Sequence, residues 1–189
     1  GGPQTAPADG LGRVPVADGG PGFVDVLSQR FGPGARLALV SVLGPNGDSV
    51  PVSLLVVADT VYLESAQACG LHLVADPQPL TASTFGVGQA IMAAIGTGAR
   101  RIVVGLGGSA TNDGGAGLLA ALGATGNVPL DQGPAALAGI ETVDLSAAKA
   151  ALADTELLVA ADVETQLLGM FGATKTFGPQ KGLTDEQIL

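Results

Sequence analysis

The run Arg101-Ile102-Val103-Val104-Gly105-Leu106-Gly107-Gly108-Ser109-Ala110-Thr111-Asn112-Asp113-Gly114-Gly115-Ala116-Gly117 constrains this chain more than any other part of it. A β-branched stretch runs into glycines, and two hydroxyls, an amide and a carboxylate follow at once. Ala116 to Leu122 then has the composition of a helix. The pattern predicts a strand, a tight turn and a helix start. Such a turn aims bare backbone N–H groups and a helix N-terminus at one point, which suits a phosphate or another oxyanion. Its glycines let the backbone come close to a ligand. The alternative without a ligand is a packing turn in which Ser109 and Thr111 cap the helix.

Alternating strands and helices in the second half predict an α/β fold with a largely parallel sheet flanked by helices. The 189 residues suit one domain, or a large domain plus part of another. Residues 1–60 read as an N-terminal segment with a hairpin, part of a mixed α/β domain. Residues 61–189 read as the α/β region that carries the glycine-rich turn. With 47% hydrophobic and 13% charged residues, disorder is excluded; at 3% aromatic, the core must come from Val, Leu, Ile and Ala.

Charge narrows the ligand. The net charge is −9 and the only lysines are Lys149, Lys175 and Lys181, so no basic patch points to nucleic acid. An anionic ligand would need backbone N–H groups, a metal or a single lysine. Cys69 is the only cysteine, which fits a reducing, cytoplasmic location. No apolar run approaches the ~18 residues of a membrane span. Small-molecule ligands are therefore expected, with a homodimer left open. Gly1-Gly2-Pro3-Gln4-Thr5 does not resemble a native beginning, and the end falls inside a helical pattern, so a longer parent protein is expected.

Along the chain, Val14-Pro15-Val16 suggests a short edge strand, and Phe23, Val26, Leu27 and Phe31 have helical spacing up to Pro33-Gly34. Ala35 to Leu43 and Val50 to Val57 predict a hairpin around Pro45-Asn46-Gly47-Asp48. Val61-Tyr62-Leu63 reads as a strand ending at Glu64. Thr81 to Ile95 reads as a helix with Ser83 or Thr84 near its cap. Ser146 is expected to cap a helix through Ala153, before a strand over Glu156 to Ala161. Thr176 to Gly182 reads as a loop, and Thr184-Asp185-Glu186-Gln187 as a capping box. Ligands of parallel α/β sheets sit at the carboxyl ends of the strands. Glu64, the Ser109–Asp113 turn and Asp162 are expected to line one crevice there.

Asp113 either complements a helix dipole or orients a substrate hydroxyl or metal-bound water. Asp162, at a strand end, either starts a turn or joins Asp113 in holding Mg²⁺ beside phosphate. Asp18-Gly19-Gly20 is a second carboxylate-bearing turn, and Lys181, flanked by Gln180 and Gly182, is a candidate phosphate clamp. His72 and Cys69 read as structural. Gly105 to Ala110 also fits a relaxed dinucleotide fingerprint, the signature of an NAD(P)-dependent oxidoreductase, but no acidic residue closes a second strand at the required offset.

The long glycine-rich run resembles the signature of the glycerate kinase family, which phosphorylates glycerate with ATP. Pro15-Val16-Ala17-Asp18-Gly19-Gly20, Glu64 to Leu71, Ser83-Thr84-Phe85-Gly86, Ala161-Asp162-Val163 with Leu167-Leu168-Gly169, and Phe177-Gly178-Pro179-Gln180-Lys181-Gly182 resemble further family segments in order. The resemblance implies two α/β domains with an interdomain cleft, and ATP, Mg²⁺ and glycerate as ligands. It implies Asp113, Asp162 and Lys181 as catalytic residues, Asp162 also as metal ligand. Asp18, Gly19, Gly20, Gly107, Gly108, Ser109, Thr111 and Asn112 are implied in substrate or phosphate binding. The chain departs from the family at Pro21-Gly22-Phe23, where Glu-Gly-Thr is usual, and at Phe85-Gly86-Val87-Gly88-Gln89, where Tyr-Gly-Thr-Gly-Glu is usual. These departures leave a divergent pseudokinase, or a kinase of another small hydroxy acid, as alternatives.

Overall fold

The computed structural model describes residues 15–188. Helix α1 (Phe23–Phe31) buries Phe23 and Val24, and a 3-10 turn, Gly32–Gly34, with Pro33 at its start, ends it. Strands β1 (Arg36–Leu43) and β2 (Ser49–Val57) form the predicted hairpin, with Val40 opposite Val52. β3 (Thr60–Glu64), α2 (Ala66–Cys69), a 3-10 turn over Leu71–Leu73 and α3 (Phe85–Ile95) lead to β4 (Arg101–Gly105) and α4 (Ala116–Ala121). A ribbon of β5 (Thr125–Gly126) and β6 (Val143–Asp144), α5 (Ser146–Ala151), β7 (Glu156–Ala160), α6 (Ala173–Phe177) and α7 (Asp185–Ile188) complete the chain.

The main sheet has the order β1-β2-β3-β4-β7. Pairs β3–β4 and β4–β7 are parallel, whereas β1–β2 and β2–β3 are antiparallel. The fold is α/β as expected, but the sheet is mixed rather than largely parallel. Connection length decides this. Ala58-Asp59 leaves room only for a hairpin return, while α3 and then α4 and α5 supply the long crossovers that parallel pairing needs. The sheet runs without a break across residue 60, where β2 pairs with β3.

Alternation along the strands sorts the core onto two faces. Leu55, Tyr62, Val103 and Ala160 face α1. Val52, Leu54, Val61, Leu63, Ile102 and Val104 face Val87, Ala90, Ile91 and Ala94 of α3. The parallel register sets Glu64, Gly105 and Ala160 side by side at the carboxyl ends of three strands. The residues that follow these ends build the site.

Four local expectations change. Helix α3 starts at Phe85 rather than Thr81, because Ser83 donates its N–H to the Pro45 carbonyl (3.0 Å) and the Thr84 amide is taken by Asp113. Ser146 opens α5 instead of capping it; the cap position is Leu145, and the carboxylate of Asp144 just before it accepts the Ser146 N–H at 2.8 Å. The expected loop Thr176 to Gly182 is helical, ending α6 and continuing as a 3-10 turn over Pro179–Lys181. Pro15 and Val16 form no strand, and Val14 lies outside the described residues. The capping box forms reciprocally. Thr184 donates its N–H to the Gln187 side-chain oxygen (2.9 Å), and Gln187 donates its own to the Thr184 hydroxyl (3.4 Å).

Candidate functional site

Past Gly105 the backbone is stitched down on both sides. Leu106 donates its N–H to the Ala160 carbonyl, Leu71 to the Gly108 carbonyl and Ala110 to the Cys69 carbonyl, each at 2.8 Å. The Asp18-Gly19-Gly20 loop lies directly on this turn. A Cβ on Gly107 would stand 2.6 Å from the Gly20 Cα, so only glycine permits the approach. Gly19 has φ +98°, and a side chain there would run into the Ala160 carbonyl. Together the two loops border a cleft of about 340 Å³.

Seven of the predicted residues meet in that cleft: Asp18, Gly20, Gly107, Gly108, Ser109, Asp162 and Lys181. Pro21, Leu106, Val163 and Phe177 form its apolar portion, which sequence reasoning had not assigned. Gly19 is buried beneath the lining. Thr111, Asn112 and Asp113 do not line the cleft; they hold the turn from behind.

Lys181 is 9% exposed, and its amine donates to the Ser109 hydroxyl at 3.0 Å and to the Thr111 carbonyl. Burial pushes its pKa below the ordinary lysine value, while the nearby Cys69 and Asp113 partly offset that shift. An ammonium carries three N–H donors. Two are engaged here, leaving one for a ligand oxygen. Helix α6 brings the lysine to this position, and the Asn112 amide donates to the Thr174 hydroxyl of α6 at 3.2 Å.

Asp113 is 3% exposed and works as a clamp. One carboxylate oxygen accepts the Thr84 N–H and hydroxyl, both at 2.8 Å, and the Gly117 N–H at 3.2 Å; the other accepts the Gly115 N–H at 3.1 Å. The Thr84 hydroxyl in turn accepts the Leu118 N–H at 2.9 Å. The starts of α3 and α4 are thus tied to one carboxylate.

Glu64 does not line the crevice as expected. It is 4% exposed and turns under the Asp18 loop, accepting the Gly22 N–H at 3.0 Å and the Val24 N–H at 3.5 Å. Helix α1 has no side-chain cap of its own, so this distant carboxylate satisfies its first donors. Cys69 is buried in the core, and burial pushes its thiol up to about 12. His72 is exposed on the 3-10 turn after α2 and is absent from the cleft lining. The clamping roles of Glu64, Thr84 and Thr174 went unread because their partners are remote in sequence.

No group of three or more His, Cys, Asp or Glu side chains gathers to hold a metal among the described residues. Asp18 and Asp162 nevertheless both line the cleft, with one Asp18 carboxylate oxygen accepting the Gly20 N–H at 2.9 Å. A dinucleotide fold needs its glycines to open a helix directly. Here α4 begins only at Ala116, and the intervening residues pair with the segment after α2.

The sequence profile of the Glycerate kinase family matches residues 2–189. The chain is 40% identical over 185 residues to the glycerate 2-kinase of Escherichia coli K12 and 40% identical over 184 residues to the glycerate kinase of Bacillus subtilis 168. Each match covers 93% of this chain and 48% of the relative. It is 43% identical over 185 residues to the uncharacterized protein Mb2228c of Mycobacterium bovis, covering 95% of this chain and 42% of that one. The crystal structure of a candidate glycerate kinase 2 from Salmonella typhimurium LT2 superposes with a TM-score of 0.84 at 38% identity, covering 93% of this chain and 49% of that one. The chain spans about half the length of the curated relatives it matches. On the extent of the profile match and the level of these identities, the chain belongs to the glycerate kinase family.

Proposed function

We propose that the protein transfers a phosphoryl group from ATP to glycerate, and that this chain supplies the phosphate-cradling part of an interdomain cleft. The observation that carries this reading is the buried Lys181 amine, held on Ser109 and Thr111 with one N–H free beside the exposed backbone of Gly107 and Gly108. In phosphoryl transfer the protein chiefly positions the reactants and neutralises charge. Lys181 would meet a phosphate oxygen as a point charge, and the Gly107-Gly108 backbone would approach the same phosphate closely. The apolar side chains of Pro21, Leu106, Val163 and Phe177 would keep water from the reacting atoms.

Mg²⁺ binds well through one or two carboxylates plus substrate phosphates. Asp162 and Asp18 fit that need, with Asp162 as the principal ligand because both its oxygens are free of protein partners among the described residues. When bound, Mg²⁺ would neutralise charge on the phosphate oxygens. The same reading gives small-molecule ligands, no nucleic acid and a cytoplasmic location, with a homodimer left open. No helix among the described residues is long and apolar enough to cross a membrane.

One departure from the family resemblance falls outside the cleft. Phe23 is a core residue, 8% exposed, with its ring centroid 6.5 Å from that of Tyr62. Pro21 is different, because it lines the cleft where the family usually carries Glu. That position favours, as a second reading, a small hydroxy acid other than glycerate. The test is ADP release from MgATP by the full-length protein, with glycerate, with other hydroxy acids and with neither. Release that depends on glycerate supports the first reading, and release that depends on another hydroxy acid supports the second. A folded protein that binds MgATP without turnover would be a pseudokinase.

A further inference from the structure

We infer that Glu64 is a positioning residue for the cleft, holding Asp18 in place through the amide of Gly22; this rests on the phosphorylation reading of the same cleft. Among the described residues, Glu64 and Asp113 are the two buried carboxylates. Asp113 takes its four donors from Thr84, Gly115 and Gly117 and so ties the starts of α3 and α4, whereas Glu64 stands at the end of β3 and reaches across 42 positions of sequence to Gly22. The cap position before helix α1 is Gly22, with φ +95°, which has no side chain with which to cap the helix start.

A path of hydrogen bonds then leads to the cleft. Phe23 donates its N–H to the Gly20 carbonyl at 3.1 Å, and Gly20 donates its own to the Asp18 carboxylate at 2.9 Å. The Gly19-Gly20 backbone is pressed against Gly105 and Gly107 with no side chain between them. The Asp18 carboxylate is thus carried on a loop with two fixings, the glycine-to-glycine contact and Glu64. The contact sets how close the loop lies, and the Glu64 bond sets where α1 begins and so where Asp18 points. A carboxylate also suits this place electrostatically, since it faces the positive end of α1.

The test uses the full chain with Glu64→Ala, Glu64→Gln, Asp18→Ala and the Glu64→Ala/Asp18→Ala double variant. Glycerate-dependent turnover and amide hydrogen exchange at Gly22 and Val24 are both read. If Glu64 acts through Asp18, Glu64→Ala slows turnover by ~10-fold or more, and the double variant is no slower than Asp18→Ala alone. Glu64→Gln keeps an acceptor oxygen, so its exchange and rate stay within about threefold of the unaltered chain, while Glu64→Ala raises exchange at Gly22 by ~10-fold or more. Losses that multiply in the double variant would overturn the inference while leaving the phosphorylation reading intact. So would an Asp18→Ala variant with unchanged turnover. If the unaltered full chain releases no ADP with glycerate, the phosphorylation reading fails on its own. Exchange then decides the positioning, and unchanged exchange at Gly22 in Glu64→Ala would overturn it.

Discussion

The Lys181 amine stands 3.0 Å from the Ser109 hydroxyl, joining residues 72 positions apart in the chain. The bond closes the C-terminal segment onto the glycine-rich turn and sets a cation where the turn's backbone is most exposed. Replacing the lysine separates its two duties. Lys181→Met keeps most of the apolar stem and removes the charge. Turnover is expected to fall at least ~100-fold. Stability should change by no more than about 2 kcal/mol, because the unpaired Thr111 carbonyl is offset by relief of a buried charge. Steady-state rates and urea midpoints on the same preparations measure both. A Met variant with ordinary rates would place the phosphate elsewhere.

The lowered pKa of Lys181 makes stability and activity diverge in alkali. The unfolded chain keeps this proton up to the ordinary 10.5, whereas the folded chain releases it earlier. Between those two values the unfolded state holds more protons, so this group adds stability as pH rises. Activity falls over the same window as the ammonium is lost. Cys69 acts in the opposite sense: its thiol rises from 9.0 to about 12 on folding, so it removes stability as pH climbs above 9.0. A Cys69→Ala background isolates the lysine. There, urea midpoints should rise with pH below 10.5 while kcat/KM declines, and Lys181→Met should abolish the rise.

Asp113 is expected to behave differently, because it holds structure as well as the site. Asp113→Ala strands the amides of Thr84, Gly115 and Gly117 together with the Thr84 hydroxyl. A loss of about 3 kcal/mol or more is expected, since each buried unpaired group costs roughly 1–3 kcal/mol. Turnover of the fraction that remains folded should still drop at least ~100-fold as the turn loosens. Asp113→Asn retains one acceptor oxygen and should lose about half as much stability. Denaturant titration ranks the three proteins; an Ala variant as stable as the unaltered chain would show that the clamp carries no energy.

Much of the fold is legible in the sequence because its signals are local. The Pro45-Asn46-Gly47-Asp48 turn announces the hairpin, and the glycines after Val104 announce the end of β4. The direction of β3 is not a local property; it depends on whether Ala58-Asp59 is read as a break or as a two-residue return. Helices α2 and α6, of four and five residues, are too short for a 3.6-residue period to show. In the candidate site, the residues whose exposed backbone or charge suits a phosphate or a cation beside it stand out in sequence: Asp18, Gly107, Gly108, Ser109, Asp162 and Lys181. The carboxylates that hold the architecture do not, because Glu64 meets Gly22 and Asp113 meets Thr84 only after the sheet has formed. A carboxylate next to a glycine-rich turn reads the same in sequence whether it faces the ligand or the protein interior.

The contact between the two glycine loops offers the sharpest mechanical test. A methyl group on Gly107 would meet the Gly20 Cα at 2.6 Å and the Gly20 nitrogen at 3.0 Å. Both atoms are backbone, so no side chain can swing aside and the Asp18 loop must lift. Overpacking of this kind costs ~1–3 kcal/mol. A displacement approaching ~1 Å at a transferring group can cost ~100-fold in rate. Gly107→Ala is therefore expected to stay folded yet lose most of its turnover. Gly34→Ala is the control, because a methyl group there meets nothing within 4 Å. Equal rates in the two variants would mean that the spacing between the Asp18 loop and the glycine-rich turn does not govern the chemistry. A loss confined to Gly107→Ala would make that spacing, and the glycines that permit it, the reason this segment is so poor in side chains.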